Sequence, residues 1–150
     1  MNFAHLHLIG NHLPVVGIPI ALLFLVYGLM KRNLQMQQLS LFVLVGLAAM
    51  TIPVYLTGEP AEKTIENLPG IAESFIANHE DAALVSLVLT ILTGLAAVVA
   101  LLIKSNEKKF RLANLMVASI ACMAGLSLIY TANLGGKVRH TELRGDGSAL

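Results

Sequence analysis

Four long apolar stretches, at residues 13–30, 39–57, 82–103 and 112–134, contain no Asp, Glu, Lys or Arg. They run for 18, 19, 22 and 23 residues, against the roughly 20 that a helix needs to cross the hydrocarbon core of a bilayer. The pattern predicts four transmembrane helices. The connections at 31–38 and 104–111 are short, so helices one and two, and three and four, should form antiparallel hairpins. The fold class expected is an all-α membrane protein, an up-down four-helix bundle. It makes a single domain over residues 1–144, with 145–150 as a flexible tail.

Finer signals place the helix ends. Pro14 is expected to open the first helix, where a missing N–H costs nothing, and Gly135-Gly136 to end the fourth. His140 would then turn back over the end of the bundle. Pro19 and Pro53 fall inside spans and predict kinks, while Gly94, Ala97, Ala121 and Gly125 allow close helix approach. Between spans two and three, Pro60 should open a short helix over 61–67 that Leu-Pro-Gly at 68–70 ends. A further helix begins near Ile71 and runs into the third span. Its inward stripe reads Ala72, Phe75, Ile76, His79, Ala83, Ser86, Thr90, Thr93, Ala97, at helical spacing. Small and mildly polar residues dominate the stripe below His79, as in a bundle interior that Leu does not fill.

Composition agrees with a membrane location: the chain is 56% hydrophobic and 13% charged, with mean hydropathy +0.75. A net charge of +1 gives no ground for a nucleic-acid partner. The single cysteine, Cys122, is expected to be a small buried apolar residue of the fourth span. No Lys or Arg precedes the first apolar run and Lys31-Arg32 follow it, which is not the pattern of a cleavable signal peptide. Charge also orients the bundle. Segments 31–38 and 104–111 are basic, whereas 58–81 carries six acids against Lys63 alone. The positive-inside rule puts the basic connections in the cytoplasm. The acidic segment and both termini then lie in the periplasm of a bacterial inner membrane.

Five histidines, His5, His7, His12, His79 and His140, fall on that outer side. His12 begins the first span, His79 precedes the third and His140 follows the fourth, so the bundle brings distant stretches to one level. Imidazole ligates transition metals and titrates near neutral pH. An interfacial histidine bonded to a carbonyl or to water is the plainer alternative for each, and for His5 the favoured one. Glu59, Glu62 and Glu80 read first as a solvated acidic face.

The H-x4-H-x-P run from His7 through His12 to Pro14, the HED at 79–81 and the GG-x3-H at 135–140 together give a resemblance. The chain resembles an uncharacterised family of bacterial four-helix inner-membrane proteins over residues 2–144. That family often has an aromatic residue where Leu13 stands here. The resemblance implies a membrane location and marks His7, His12, His79 and His140. It implies redox or haem association only loosely.

Three functions compete. The first is a b-type haem protein that transfers electrons, with quinone or a periplasmic redox protein as partner. Helical bundles hold haem by one or two axial imidazoles. His12 and His79 suit that role, with His7 and His140 as a second pair. Ala83 and Ser86 would leave room for the ring, and Lys137 or Arg139 would meet the propionates. The absence of CxxCH excludes c-type attachment. The second is a Zn or Cu site of His12, His79 and His140 completed by Glu59, Glu62 or Glu80. The third is a non-catalytic subunit of a larger membrane complex, with structural histidines. A carrier or binding protein is favoured over a hydrolase, and a homo-oligomer is an open assembly. The topology has a direct test. A cysteine at Asn67 should react with an impermeant thiol reagent added to the periplasmic side, and one at Asn106 should not; labelling at Asn106 alone would invert the orientation.

Overall fold

The structure is a computed structural model and describes residues 2–65, 71 and 73–140. It is all helical: α1 (Phe3–Met30), α2 (Leu34–Leu56), α3 (Gly58–Ile65), α4 (Glu73–Leu102) and α5 (Glu107–Arg139). The helices α1, α2, α4 and α5 are each long and apolar enough to cross a membrane. The α1 helix packs on α2 and α5, and α4 packs on α2 and α5, which closes the four-helix bundle expected from the spans. The short α3 lies mainly against α1.

Three helix boundaries differ from the sequence reading. The first helix begins at Phe3, not at Pro14, because Asn2 caps it: its side-chain oxygen accepts the His5 N–H at 3.0 Å. That satisfies one of the four donors a helix start leaves open. Pro14 and Pro19 both lie inside α1, a position that membrane helices tolerate when neighbours re-satisfy the backbone. At the other end, Gly135 and Gly136 do not stop α5, which continues to Arg139 and is capped by His140. Each glycine inside a helix costs about 1 kcal/mol relative to alanine, so another contact must favour glycine there. The α3 helix starts at Gly58 and places Pro60 in its first turn; 68–70, expected to end it, and Ala72 lie outside the described residues.

The bundle is packed inside out relative to a water-soluble one. Leu23, Phe24, Leu95, Leu102 and Leu126 are exposed, as lipid-facing residues are, and Cys122 is exposed too rather than buried as expected. The interior is Ala97, Ala100, Ala121 and Ala124 with Ile18, Leu25, Leu41, Leu44 and Val117. Small residues set the spacing. A Cβ added to Gly94 would come within 2.5 Å of the Ala48 Cβ, so α2 and α4 touch there as only glycine permits. At Gly125 an added Cβ would be 3.6 Å from Pro19, an ordinary contact.

From the 31–33 turn towards the opposite end of the bundle, the buried polar pair Gln37 and Asn114 gives way to apolar layers, and these to hydroxyls and histidines. The helices overshoot the apolar stretches on that side. The α1 helix adds residues 3–12, α4 adds 73–81, and α5 runs past 134. The added turns and α3 form a collar at that end of the bundle.

Candidate functional site

The stripe that α1 turns inward is Pro14, Ile18, Ala21, Leu25 and Gly28. Continued backwards at three- and four-residue steps it reaches His7. His12, five residues further along, is rotated by about 140° from His7 on a helix of 3.6 residues per turn. The two therefore cannot face the same neighbour. His7 is half-buried, whereas His12 is exposed and its Nδ1 donates to the Leu8 carbonyl of its own helix at 2.6 Å. The expected axial pair of His12 and His79 is not formed, and His7 takes the inward place.

His7 and His79 meet across the collar with ring centroids 6.4 Å apart and planes at 90°. Each ring is held by its Nδ1. In His79 the Nδ1 lies 3.0 Å from the Thr131 carbonyl on α5. In His7 it lies 3.1 Å from the Val54 carbonyl and 3.0 Å from the Thr57 hydroxyl on the α2 end. The Thr57 hydroxyl also approaches the Val54 carbonyl at 2.6 Å, which assigns its proton. A carbonyl only accepts, so both Nδ1 atoms carry hydrogen in these bonds. When the rings are neutral, both Nε2 atoms are left with a lone pair. Anchoring one ring nitrogen on a backbone carbonyl is how proteins orient a histidine that ligates through the other.

A glycine gives the His79 ring its seat. A Cβ on Gly135 would approach the His79 ring to 3.0 Å at Cε1 and 3.2 Å at Nδ1. That is the contact that keeps glycine inside α5. A Cβ on Gly58 would stand 3.8 Å from the His7 Cε1, an easy contact. On the α4 stripe, Ile76 is buried and Phe75 half-buried on the outer side of His79, and Ala83 is half-buried one turn beneath it.

The remaining candidates are dispersed. His5 is exposed on the first turn of α1, and His140 is exposed at the α5 cap with its backbone N–H on the Gly136 carbonyl. Glu59 is exposed and paired with Lys63 at 2.6 Å, Glu80 is exposed, and Glu62 is half-buried. Lys137 is half-buried near the end of α5, and Arg139 is its last helical residue. Among the described residues no three His, Cys, Asp or Glu side chains are grouped to hold a metal ion. The room expected at Ser86 is filled: the residue is 2% exposed, its hydroxyl 2.7 Å from Ser127 and 2.9 Å from Thr131.

Sequence reasoning missed Thr57, Thr131 and Ser127, which support the pair or the layer below it. The last two stand four residues apart on one helical face, a signal available in the sequence. The comparison with protein families then matches residues 5–142 to the family described as "Predicted membrane protein (DUF2231)". The chain belongs to this family. Membership in DUF2231 fixes the class as a membrane protein, in agreement with four bilayer-length helices. Neither a search of curated proteins nor one of solved structures found a match.

The seat at Gly135 generates a sign test. Gly135→Ala should destabilise the protein in detergent, although alanine favours a helix by about 1 kcal/mol. In a His79→Ala background the same change should stabilise, because the ring that clashes is gone. Thermal unfolding of the four proteins checks both signs.

Proposed function

We propose that the chain is an integral membrane protein of a bacterial inner membrane that holds haem b at its histidine end, with the histidine end in the periplasm. The reading makes it an electron carrier rather than a hydrolase, its partner a quinone or a periplasmic redox protein. One observation carries it: His7 and His79, from different helices, are each fixed through Nδ1 and keep Nε2 for a ligand.

His7 on α1 and His79 on α4, with ring centroids 6.4 Å apart, are the two residues that would hold the group, each already oriented through its Nδ1. When bound, haem would supply one-electron chemistry whose potential the axial ligands and their hydrogen bonds set. The Val54 and Thr131 carbonyls raise the electron density of both imidazoles through Nδ1–H. Gly135 keeps the His79 ring uncrowded. Lys137, and Arg139 at the end of the same helix, are the cations nearest in sequence to Gly135 for propionates.

A Zn or Cu ion held by three imidazoles has less support, because His12 turns away and His140 is exposed at the cap. The spectrum of the protein, expressed with haem supplied and purified in mild detergent, separates the readings. A Soret band and sharp reduced-state bands are expected after dithionite. His7→Ala or His79→Ala should abolish them, whereas His5→Ala, His12→Ala and Glu80→Gln should leave them. Colourless protein with stoichiometric Zn or Cu would replace haem by an ion, and colourless, metal-free protein would leave a structural subunit.

A further inference from the structure

The outer surface between α1 and α2 is grooved. A recess of about 350 Å³ lies among Leu23, Phe24, Tyr27 and Met36. A second, of about 160 Å³, lies between Ile20, Leu39 and Val43 and shares the Phe24 wall. Ala21 and Ser40, each 2% exposed, also line it, and the Ser40 hydroxyl is bonded to the Met36 carbonyl at 2.8 Å. The two recesses therefore make one apolar groove along the helix pair.

Any apolar groove at membrane depth meets acyl chains, and what singles this one out is where it ends. Ile20, Phe24, Tyr27 and Lys31 follow at steps of four, three and four residues, and Lys31 keeps a helical backbone as the cap of α1. Residues at such steps share a helix face, so the face that borders the groove leads to a cation. It is about 16 Å long at 1.5 Å per residue. That is close to half of a hydrocarbon core of about 30 Å, the depth of one leaflet. Tyr27 adds a hydroxyl one turn before Lys31, as tyrosines do at the headgroup level.

Arg32 stands next to Lys31. Both are exposed, and among the described residues neither is in an ion pair. No acid precedes Glu59 in the chain, and Glu107 is the only one in the other connection at this end, 104–111. Arg32 also has a φ of 52°. It closes α1 with its N–H 3.3 Å from the Leu29 carbonyl and the Asn33 N–H 2.9 Å from that of Gly28. Glycine is the usual residue at this left-handed position, yet a guanidinium stands there. Arginine grips phosphate oxygens with a planar fork and lysine as a point charge, and basic residues at a membrane surface attract anionic lipids. We propose that the groove binds one anionic phospholipid, with an acyl chain along Phe24 and the headgroup phosphate on Lys31 and Arg32. The site lies at the end of the bundle opposite the histidines and does not rest on the haem reading.

Native mass spectrometry of the full chain in detergent tests the proposal, with phosphatidylglycerol titrated against phosphatidylcholine of the same acyl chains. One phosphatidylglycerol per chain should be held several-fold more tightly than phosphatidylcholine. Neither inorganic phosphate nor a short-chain phosphatidylglycerol should displace it. Lys31→Gln combined with Arg32→Gly should abolish the preference. Misfolding does not explain such a loss, because Arg32→Gly should raise the thermal midpoint in lipid-free detergent, glycine adopting the left-handed backbone freely. Lys108→Gln combined with Lys109→Gln removes two exposed cations of α5 at the same end and should keep the preference. Equal affinity for the two lipids, or displacement by inorganic phosphate, would overturn the proposal. Equal loss in the α5 variant would overturn it too, leaving a diffuse attraction to the basic end in place of a site.

Discussion

In hydrocarbon, a polar group has no solvent to fall back on and must find its partner inside the protein. This constraint organises the bundle. Backbone groups are satisfied by the four long helices, and most helix hydroxyls by the carbonyl one turn back. Apart from the Thr90 hydroxyl and the Asn114 side-chain oxygen, which have no partner among the described residues, the buried polar side chains that remain are bonded across helices at two levels. Near the 31–33 turn, Gln37 donates to the Gly28 carbonyl at 3.0 Å, so its side-chain oxygen faces Asn114 and accepts from it at 2.7 Å. That clamp ties α1, α2 and α5. At the opposite end, His7 ties α1 to the end of α2, and His79 ties α4 to α5. Interhelical bonds of this kind contribute about 0.6 kcal/mol on average, so their main effect is on register and ring orientation rather than on total stability.

Close packing is the second consequence. Lipid tails are as apolar as leucine, so helices gain little by hiding large side chains from them. Many Leu, Val and Phe side chains accordingly face outward, and the interior combines Ala, Gly, Ser and Thr with a few large residues such as Leu25, Leu41, Leu44 and Phe110. The glycines then have distinct tasks. Gly94 permits backbone contact with Ala48, and Gly135 yields its side-chain volume to an imidazole. The same small-residue interior leaves the hydroxyls of α4 and α5 near one another, which produces the layer beneath the histidines.

The span count and the bundle were legible in the sequence because charge exclusion from hydrocarbon is a strong and simple signal. The α4 stripe was legible as well: Ile76, Ser86, Thr90, Thr93 and Ala97 are all buried. Helix ends were not. Pro14 and Gly135-Gly136 carry the local chemistry of boundaries, but Asn2 offered a better start, and the His79 ring made glycine necessary inside α5. The error at Pro14 carried into the site. Once α1 starts at Phe3, helical phase selects His7 and rejects His12, a deduction that the shorter helix had hidden. Support from Val54 and Thr131 comes through main-chain carbonyls, which residue identity does not announce.

The central claim is that His7 and His79 are both held through Nδ1–H and present Nε2 as a bare lone pair. The most direct measurement is ¹⁵N NMR of the protein labelled in its histidine rings, in bilayers and without added haem or metal, with assignments from His7→Ala and His79→Ala. In the neutral form of each ring, both residues should appear as the Nδ1–H tautomer, with an unprotonated Nε2 and a hydrogen-bonded Nδ1–H. Signals for either ring in the Nε2–H tautomer, or averaged between the two tautomers, would contradict the account.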